Sequence, residues 1–452
     1  MNATRHKNMI SVLMFPWLAH GHISPFLELS KKLTKRNFHI YFCSTPINLS
    51  SIKQKLSQKY SLSIQLVEIH LPSLPELPPH FHTTNGLPPH LMPTLKKAFD
   101  TASSYFENIL KTLNPDLIIY DFLQHWVPSI AFSLNIPAVE FICTAATMAC
   151  FCTHLHKKPG IEFPFPAIYY RDYELRNFSK LLEPNSSSTK DTDRVLKCFE
   201  LSNKIVLIKS FREIEGIYID YLADLTGKKI VPVGPLIQEE HDHELHDNEK
   251  EEIFEWLDKN DKFSVVFVSF GSEYFLSKEE LSEIAYGLEL SNVNFIWVIR
   301  FHKGAKIDIK GALPKGFFEK IEEGRGLVLE KWAPQARILG HCNIGGFVSH
   351  CGWSSVMERI YFGVPIIAMP MHLDQPLNSR LVEEVGVGVE VKRDSDNGQI
   401  DREDVAKVIR ELVVQESGEC VRRKVKEMKD MLRNKGDREM DGVVDGLLQL
   451  YT

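Results

Sequence analysis

The chain has 452 residues, enough for two or three domains with large cores. Hydrophobic residues make up 44%, charged residues 25% and aromatic residues 10%, an ordinary globular mix. The net charge of −6, from 53 basic and 59 acidic residues, argues against a general nucleic-acid or anionic-membrane surface, since both need an excess of Lys and Arg.

Residues 1–8 carry no apolar signal core, and the run from Met9 to Leu18 is too short to cross a bilayer and contains Pro16. The expectation is a cytoplasmic protein without an integral membrane segment. Of the eight cysteines only Cys150 and Cys152 are close together, and a C-x-C without a second pair is a poor zinc signal, so the thiols read as reduced.

Along the chain, apolar runs alternate with helical patterns. Met9–Phe15 reads as a strand buried on both faces, Pro16–His22 as a loop, and Ile23–Lys35 as a helix with Phe26, Leu27, Leu29 and Leu33 on one side. Strands follow at His39–Ser44 and Leu66–His70. Residues 71–93 form a Pro-rich loop with aromatic and His residues, and loops of this length in compact domains are often functional. A helix over Leu95–Leu110, a strand over Asp116–Tyr120 ending at Asp121, a helix from Ser129 and a strand over Ala138–Ile142 come next. Residues 157–195 are polar and Pro-rich and read as a surface excursion low in regular structure. Strands at Lys204–Lys209 and Ile230–Val233 close the first half.

The acidic stretch 237–252 reads as an interdomain linker, and its His241, His243 and His246 as solvated rather than metal-binding, because metal sites need a fixed second shell. The alternation then restarts. Ser264–Ser269 is a strand, Gly271 and Ser272 a turn, and Ser277 an N-cap with Glu280 as its capping-box partner. Further strands are expected at Phe295–Ile299, Gly326–Leu329, Gly346–Val348, Val364–Met369 and Gly386–Val391, a helix over Asp401–Val414, and two more helices to the end. Two α/β halves of this kind suggest two doubly wound domains facing each other across a cleft. The divisions are 1–236, 253–435, and a final helical segment 436–452 expected to pack back on the first domain.

The densest chemical signal is Trp332–Gln375. A short strand runs into Ser-His-Cys-Gly-Trp-Ser-Ser and a helix. Small residues at such a turn let backbone N–H groups approach an anion, and the helix N-terminus adds positive potential. Gly352, Ser354 and Ser355 are therefore placed like a phosphate cradle with His350 beside it; an ordinary capped helix has similar residues. Glu358, in the first turn, suits either a dipole role or a carboxylate accepting ribose hydroxyls. Trp332 suits either a base-stacking indole or a core residue. Asp374 and Gln375 offer polar groups to a polyol, or an N-cap to the next helix.

This segment resembles the signature box of plant family-1 UDP-sugar glycosyltransferases: W-A-P-Q, H-C-G-W, the pattern from Ser354 to Glu358, G-V-P and D-Q fall at the family's spacing without a gap. The likeness runs over nearly the whole chain. It implies a GT-B fold, α/β with two Rossmann-like domains, the donor UDP-glucose held mainly by the second, no cofactor and no metal. It further implies that Trp332 stacks on uracil and the Ala333 backbone bonds its edge. Gln335 and Glu358 would hold ribose, and His350, Gly352, Ser355 and the backbone near Trp353 would hold the diphosphate, assisted by Ser272. Trp353, Asp374 and Gln375 would hold the sugar, Gln375 resembling the residue of glucose users. One departure is Ser354, where the family has Asn; its shorter side chain reaches less far toward phosphate.

In the first half, His22 follows the first strand and Asp121 ends another, both at the edge where doubly wound sheets bind ligands. Alone, each reads as readily as a loop or capping residue. The resemblance assigns them as the catalytic base and its orienting carboxylate. It favours His22 over the nearby His20, because the family's His stands three residues before a Pro, as His22 does before Pro25. The implied reaction is inverting transfer. FPWLAHGHISPFLELSKKL, the 71–93 loop and DFLQHW resemble the branch-forming clade, which adds sugar to a sugar already on a flavonoid or triterpenoid, as in cucurbit mogroside biosynthesis. The expected partners are thus a UDP-sugar and a small-molecule glycoside, with no nucleic acid, acting on a monomer. Direct transfer to an aglycone and a non-catalytic UDP-sugar-binding protein are the alternatives. An NAD enzyme is disfavoured because PWLAHGH replaces the G-x-G-x-x-G turn.

Overall fold

A computed structural model describes residues 9–182, 190–238, 248–272, 274–301, 308–330, 333–435 and 437–450. The linker histidines His241, His243 and His246, and Trp332, lie outside the described residues. The chain divides into two compact units, one from the described residues of Met1–Glu162, Leu182–Asp242 and Asp437–Thr452, the other from those of Phe163–Leu181 and His243–Gly436.

In the first unit, seven apolar segments pair in parallel: β1 (Ile10–Phe15), β2 (Phe38–Ser44), β3 (Ile64–Glu68), β4 (Leu117–Tyr120), β5 (Ala138–Ile142), β6 (Ile205–Ile208) and β7 (Lys229–Pro232), in the order β3-β2-β1-β4-β5-β6-β7. β4, β5 and β6 are buried at every residue, as continuous apolar runs covered on both faces must be. The alternation of side chains divides β1 between two cores. Val12 and Met14 pack with Phe26, Phe42, Ile119 and Phe141. Leu13 and Phe15 pack with Phe99, Phe106, Ile118 and Tyr120. The helix Arg438–Leu448 supplies Met440, Val443 and Leu447 to the first of these cores.

The second unit repeats the plan with β8 (Val265–Ser269), β9 (Asn294–Val298), β10 (Gly326–Leu329), β11 (Ile344–Ser349), β12 (Ile366–Ala368) and β13 (Gly388–Glu390), in the order β10-β9-β8-β11-β12-β13. In each sheet the first strand has the second on one side and the fourth on the other, so the order reverses beside it. Ligands of doubly wound sheets bind at the carboxyl ends of the strands at this reversal. Ser277 does cap the helix Lys278–Ser291, with both bonds of the capping box to Glu280 formed.

Several elements depart from the sequence reading. The expected helix 95–110 is two helices, Met92–Thr101 and Ser103–Leu113, broken at Ala102, and both Phe99 and Phe106 stack on Phe15, at 5.2 and 4.4 Å between centroids. The third strand is Ile64–Glu68, two residues earlier than expected. Residues 157–195 are not a bare excursion. They contain the helix Asp172–Leu182 and the start of Asp191–Leu201, and Phe163–Leu181 groups with the second unit rather than the first. Buried charge pairing anchors that segment: the Arg380 guanidinium donates to both oxygens of Glu174 at 2.8 and 2.9 Å, and Arg171 donates to Glu390 at 2.6 Å.

Candidate active site

In the first unit the helix His20–Thr34 begins three residues earlier than expected, so His22 sits in its first turn rather than in a loop. The β1–β4 register sets Phe15 opposite Tyr120, so the segments that follow the two strands leave the sheet side by side. Asp121, fully buried, follows β4 directly. Its Oδ2 accepts from the Trp17 N–H at 2.9 Å and lies 2.8 Å from His22 Nδ1, while Oδ1 accepts from the Phe122 N–H at 2.9 Å. A carboxylate accepts only, so His22 carries its proton on Nδ1 and presents a lone pair on Nε2. The imidazole also stacks on Phe122, 5.1 Å between centroids. A ring fixed in tautomer and orientation, with its side chain 16% exposed, has the form of a general base.

The 71–93 loop is tied to the same place. Thr84 N–H and Thr83 Oγ1 donate to the Leu18 carbonyl at 3.0 and 3.3 Å, and Thr45 Oγ1 donates to the His82 carbonyl at 2.7 Å. His82, Thr83 and Thr84 are buried, whereas His80 and Asn85 are exposed.

In the second unit the turn after β11 leads into the helix Trp353–Phe362. Its N-cap is Gly352, whose carbonyl accepts from the Val356 N–H at 3.1 Å. A helix N-terminus carries positive potential, which favours an anion. Ser354, Ser355 and Glu358 are part-exposed, whereas Trp353 is buried at 3%. Glu358 lies in the second turn, not the first, four residues from Ser354 and on the same face.

Two glycines make room for His350. A Cβ on Gly352 would stand 2.6 Å from His350 Nε2, and one on Gly271, whose φ is +79°, would stand 2.9 Å from it. The ring is therefore lodged between the turn after β8, which carries the part-exposed Ser272, and the turn after β11. Desolvation there, with His372 and Arg359 nearby, pushes the imidazole down to about 3. At neutral pH it is an uncharged donor and acceptor.

Gln335 opens the helix Gln335–Gly340, just after the buried Ala333. Its Nε2 donates to Glu358 Oε2 at 2.7 Å, joining two residues 23 apart. Arg359 Nη1 donates to the same oxygen at 3.2 Å while its guanidinium lies 3.5 Å over the Phe347 ring.

Gln375 Oε1 accepts from the N–H groups of Met371 and His372 at 2.9 and 3.1 Å, which directs its amide nitrogen away from that turn. Asp374 Oδ2 accepts from Asn378 Nδ2 at 2.9 Å, and the same nitrogen donates to the Cys351 carbonyl at 2.9 Å. Fully buried Asn378 thus ties the Asp374 turn to the Cys351 turn. Sequence reasoning missed it and Arg359; an Asn four residues after Asp374 on one helix face was the available signal. The structure therefore brings together His22 with Asp121, His350 with Gly352, Gln335 with Glu358, and Asp374 with Gln375 on one turn.

With this geometry in view, the likeness to known proteins is informative. Residues 8–238 match the glycosyltransferase N-terminal domain, and residues 235–423 match the UDP-glucoronosyl and UDP-glucosyl transferase family. UDP-glucosyltransferase 29 of Panax ginseng is 56% identical over 98% of this chain and 97% of its own length. Beta-D-glucosyl crocetin beta-1,6-glucosyltransferase of Gardenia jasminoides is 52% identical over 97% and 98%. Mogroside IIIx synthase of Siraitia grosvenorii is 53% identical over 98% and 94%. Among solved structures, Glycyrrhiza uralensis UGT73P12 complexed with glycyrrhetinic acid 3-O-monoglucuronide superposes with a TM-score of 0.83 over 98% of this chain and 96% of that one at 23% identity, a likeness of fold. The chain belongs to the UDP-glycosyltransferase family and has its fold, two Rossmann-like units with parallel sheets. Among the described residues no helix is long and apolar enough to cross a membrane.

Proposed function

We propose that this chain transfers glucose from UDP-glucose, with inversion, to a hydroxyl on a sugar already attached to a plant small molecule, a triterpenoid glycoside first and a flavonoid glycoside next. The observation that carries the reading is the His22–Asp121 pair, with Nδ1 held 2.8 Å from a buried carboxylate at the strand-order reversal of the first sheet. His22 Nε2 takes the proton of the acceptor hydroxyl as its oxygen attacks the anomeric carbon, opposite the departing UDP. Asp121 stabilises the imidazolium so formed. The donor is held by the second unit: Trp332 on uracil with the Ala333 backbone at its edge, Gln335 and Glu358 on ribose. The first turn of Trp353–Phe362 holds the diphosphate with His350, Ser355 and Ser272, and Asp374, Gln375 and the Trp353 backbone hold the sugar. Charge developing on the leaving diphosphate meets preformed N–H donors. No step requires a metal, so transfer in a strong chelator should match transfer without it. The enzyme acts as a cytoplasmic monomer.

The sugar-bearing acceptor is favoured by the names of relatives at more than half identity, one of which acts on a glucosyl crocetin. A site built for hydroxyls loses heavily when they are missing. The test is kcat/KM for matched aglycone and glucoside with UDP-glucose, and NMR linkage analysis of the product. The glucoside should be used far better, with the new β-bond on its existing sugar. Equal turnover of the aglycone, with the new sugar on its own hydroxyl, sinks the branch-forming reading and leaves glycosyl transfer standing.

A further inference from the structure

The neighbouring strands β1, β4 and β5 end side by side, and each delivers one metal-ligating side chain to the same edge: His22 after β1, Asp121 after β4, Cys143 after β5. One ring nitrogen, one carboxylate oxygen and the Cys143 sulfur all lie within 4.8 Å of one another. Cys143 is 4% exposed and has no role in the transfer chemistry derived above.

We propose that His22, Asp121 and Cys143 form a binding site for a thiophilic divalent cation of the zinc class. The donor set, one imidazole, one carboxylate and one thiolate, leaves the fourth tetrahedral position to water or hydroxide. Bonds of about 2.0–2.3 Å place tetrahedral ligands roughly 3.3–3.8 Å apart, so the ligand atoms need close up by no more than about 1.5 Å. Asp121 keeps its bonds from the Trp17 and Phe122 N–H groups, which hold the carboxylate in place for the cation. On binding, Cys143 loses its proton to solvent and the neutral imidazole gives its lone pair to the cation. If the nitrogen beside Asp121 is the ligand, its proton passes to the other ring nitrogen. No electron changes hands. Either way His22 no longer accepts a proton, so occupancy stops transfer, a consequence that rests on the reading of His22 as the base.

The test uses the full chain carrying Cys342→Ser and Cys420→Ser, which removes the two exposed thiols, stripped of metal and titrated with Co²⁺ and Zn²⁺. One equivalent of Co²⁺ should give a thiolate-to-cobalt charge-transfer band in the near ultraviolet. The band should vanish in Cys143→Ala and in the size-conserving Cys143→Ser, and Zn²⁺ should bleach it in the parent. Zn²⁺ should inhibit transfer competitively with the acceptor, and either Cys143 variant, scored against its own metal-free rate, should need at least about 10-fold more Zn²⁺. Absence of the band in the parent, or an unchanged band or unchanged zinc sensitivity in both Cys143 variants, overturns the proposal. A Cys143-dependent band with unimpaired transfer upholds the site and overturns His22 as the base.

Discussion

His22 and His20 differ by two positions in one helix turn, and Asp121 chooses between them: its Oδ2 lies 2.8 Å from His22 Nδ1. Replacing His22 by Ala should lower kcat by about 10²–10⁴ and leave the dissociation constant of UDP unchanged by calorimetry. His20→Ala should retain transfer; a dead His20 variant beside an active His22 variant reverses the assignment. Asp121→Asn should be nearly as damaging as loss of the imidazole, because an amide can donate to Nδ1 and so favour the tautomer with the wrong nitrogen protonated. A second residue-scale consequence concerns acid. His350 is held neutral by desolvation, at about 3 against about 6.5 for a free imidazole. Between those values the unfolded chain binds a proton that the folded chain refuses, so stability is full above about pH 6.5 and falls as pH drops toward 3. His350→Gln should flatten that fall, read as the urea midpoint between pH 7 and pH 4. An identical slope in both proteins would show that this ring titrates freely.

Helix Arg438–Leu448 separates burial from surface charge. Leu447 is fully buried in the core that also holds Val12, Phe26 and Leu207. Arg36 Nη2 meets Asp441 Oδ1 at 3.2 Å, but that carboxylate is 72% exposed. Leu447→Ala should cost about 2–5 kcal/mol in denaturant unfolding, and Asp441→Asn about 0–1 kcal/mol. Sequence made such elements legible where a single physical rule governs them. Uninterrupted apolar runs gave the buried parallel strands, and Ser277 with Glu280 gave a capped helix start. It failed where tertiary contacts decide. The segment from Phe163 to Leu181 shows no strand or helix period over its Pro-rich start, and it is anchored by Arg171 and Glu174 pairing with Glu390 and Arg380, distant in sequence and joined only in the fold. No local spacing reports the break at Ala102, on either side of which Phe99 and Phe106 stack on Phe15. The candidate site was legible as a set of residue types through family likeness. Asn378, Arg359 and Cys143 were not, because a supporting side chain is recognised by what it touches.

At the scale of the whole molecule, each sheet repeats one strand order, and each places its candidate residues at the reversal: His22 and Asp121 in the first unit, Ser272, His350 and the helix Trp353–Phe362 in the second. The proposed chemistry divides between them, with proton transfer in the first unit and donor recognition in the second. A ligand that binds only the folded state stabilises it by RT ln(1 + [L]/Kd), about 2.7 kcal/mol at a hundredfold excess over Kd. UDP should therefore raise the melting temperature of the parent and of His22→Ala by the same increment, since the proposed division assigns the nucleotide to the second unit alone. Glu358→Ala should lose much of that increment, because the ribose hydroxyls lose their acceptor and Gln335 loses the carboxylate that positions it at 2.7 Å. The same variant should raise the KM for UDP-glucose while leaving the acceptor KM in place. Scanning calorimetry over a series of UDP concentrations measures both increments. Equal loss of the UDP shift in His22→Ala and Glu358→Ala would show that nucleotide recognition is shared by the two units, and the proposed division of labour would fall.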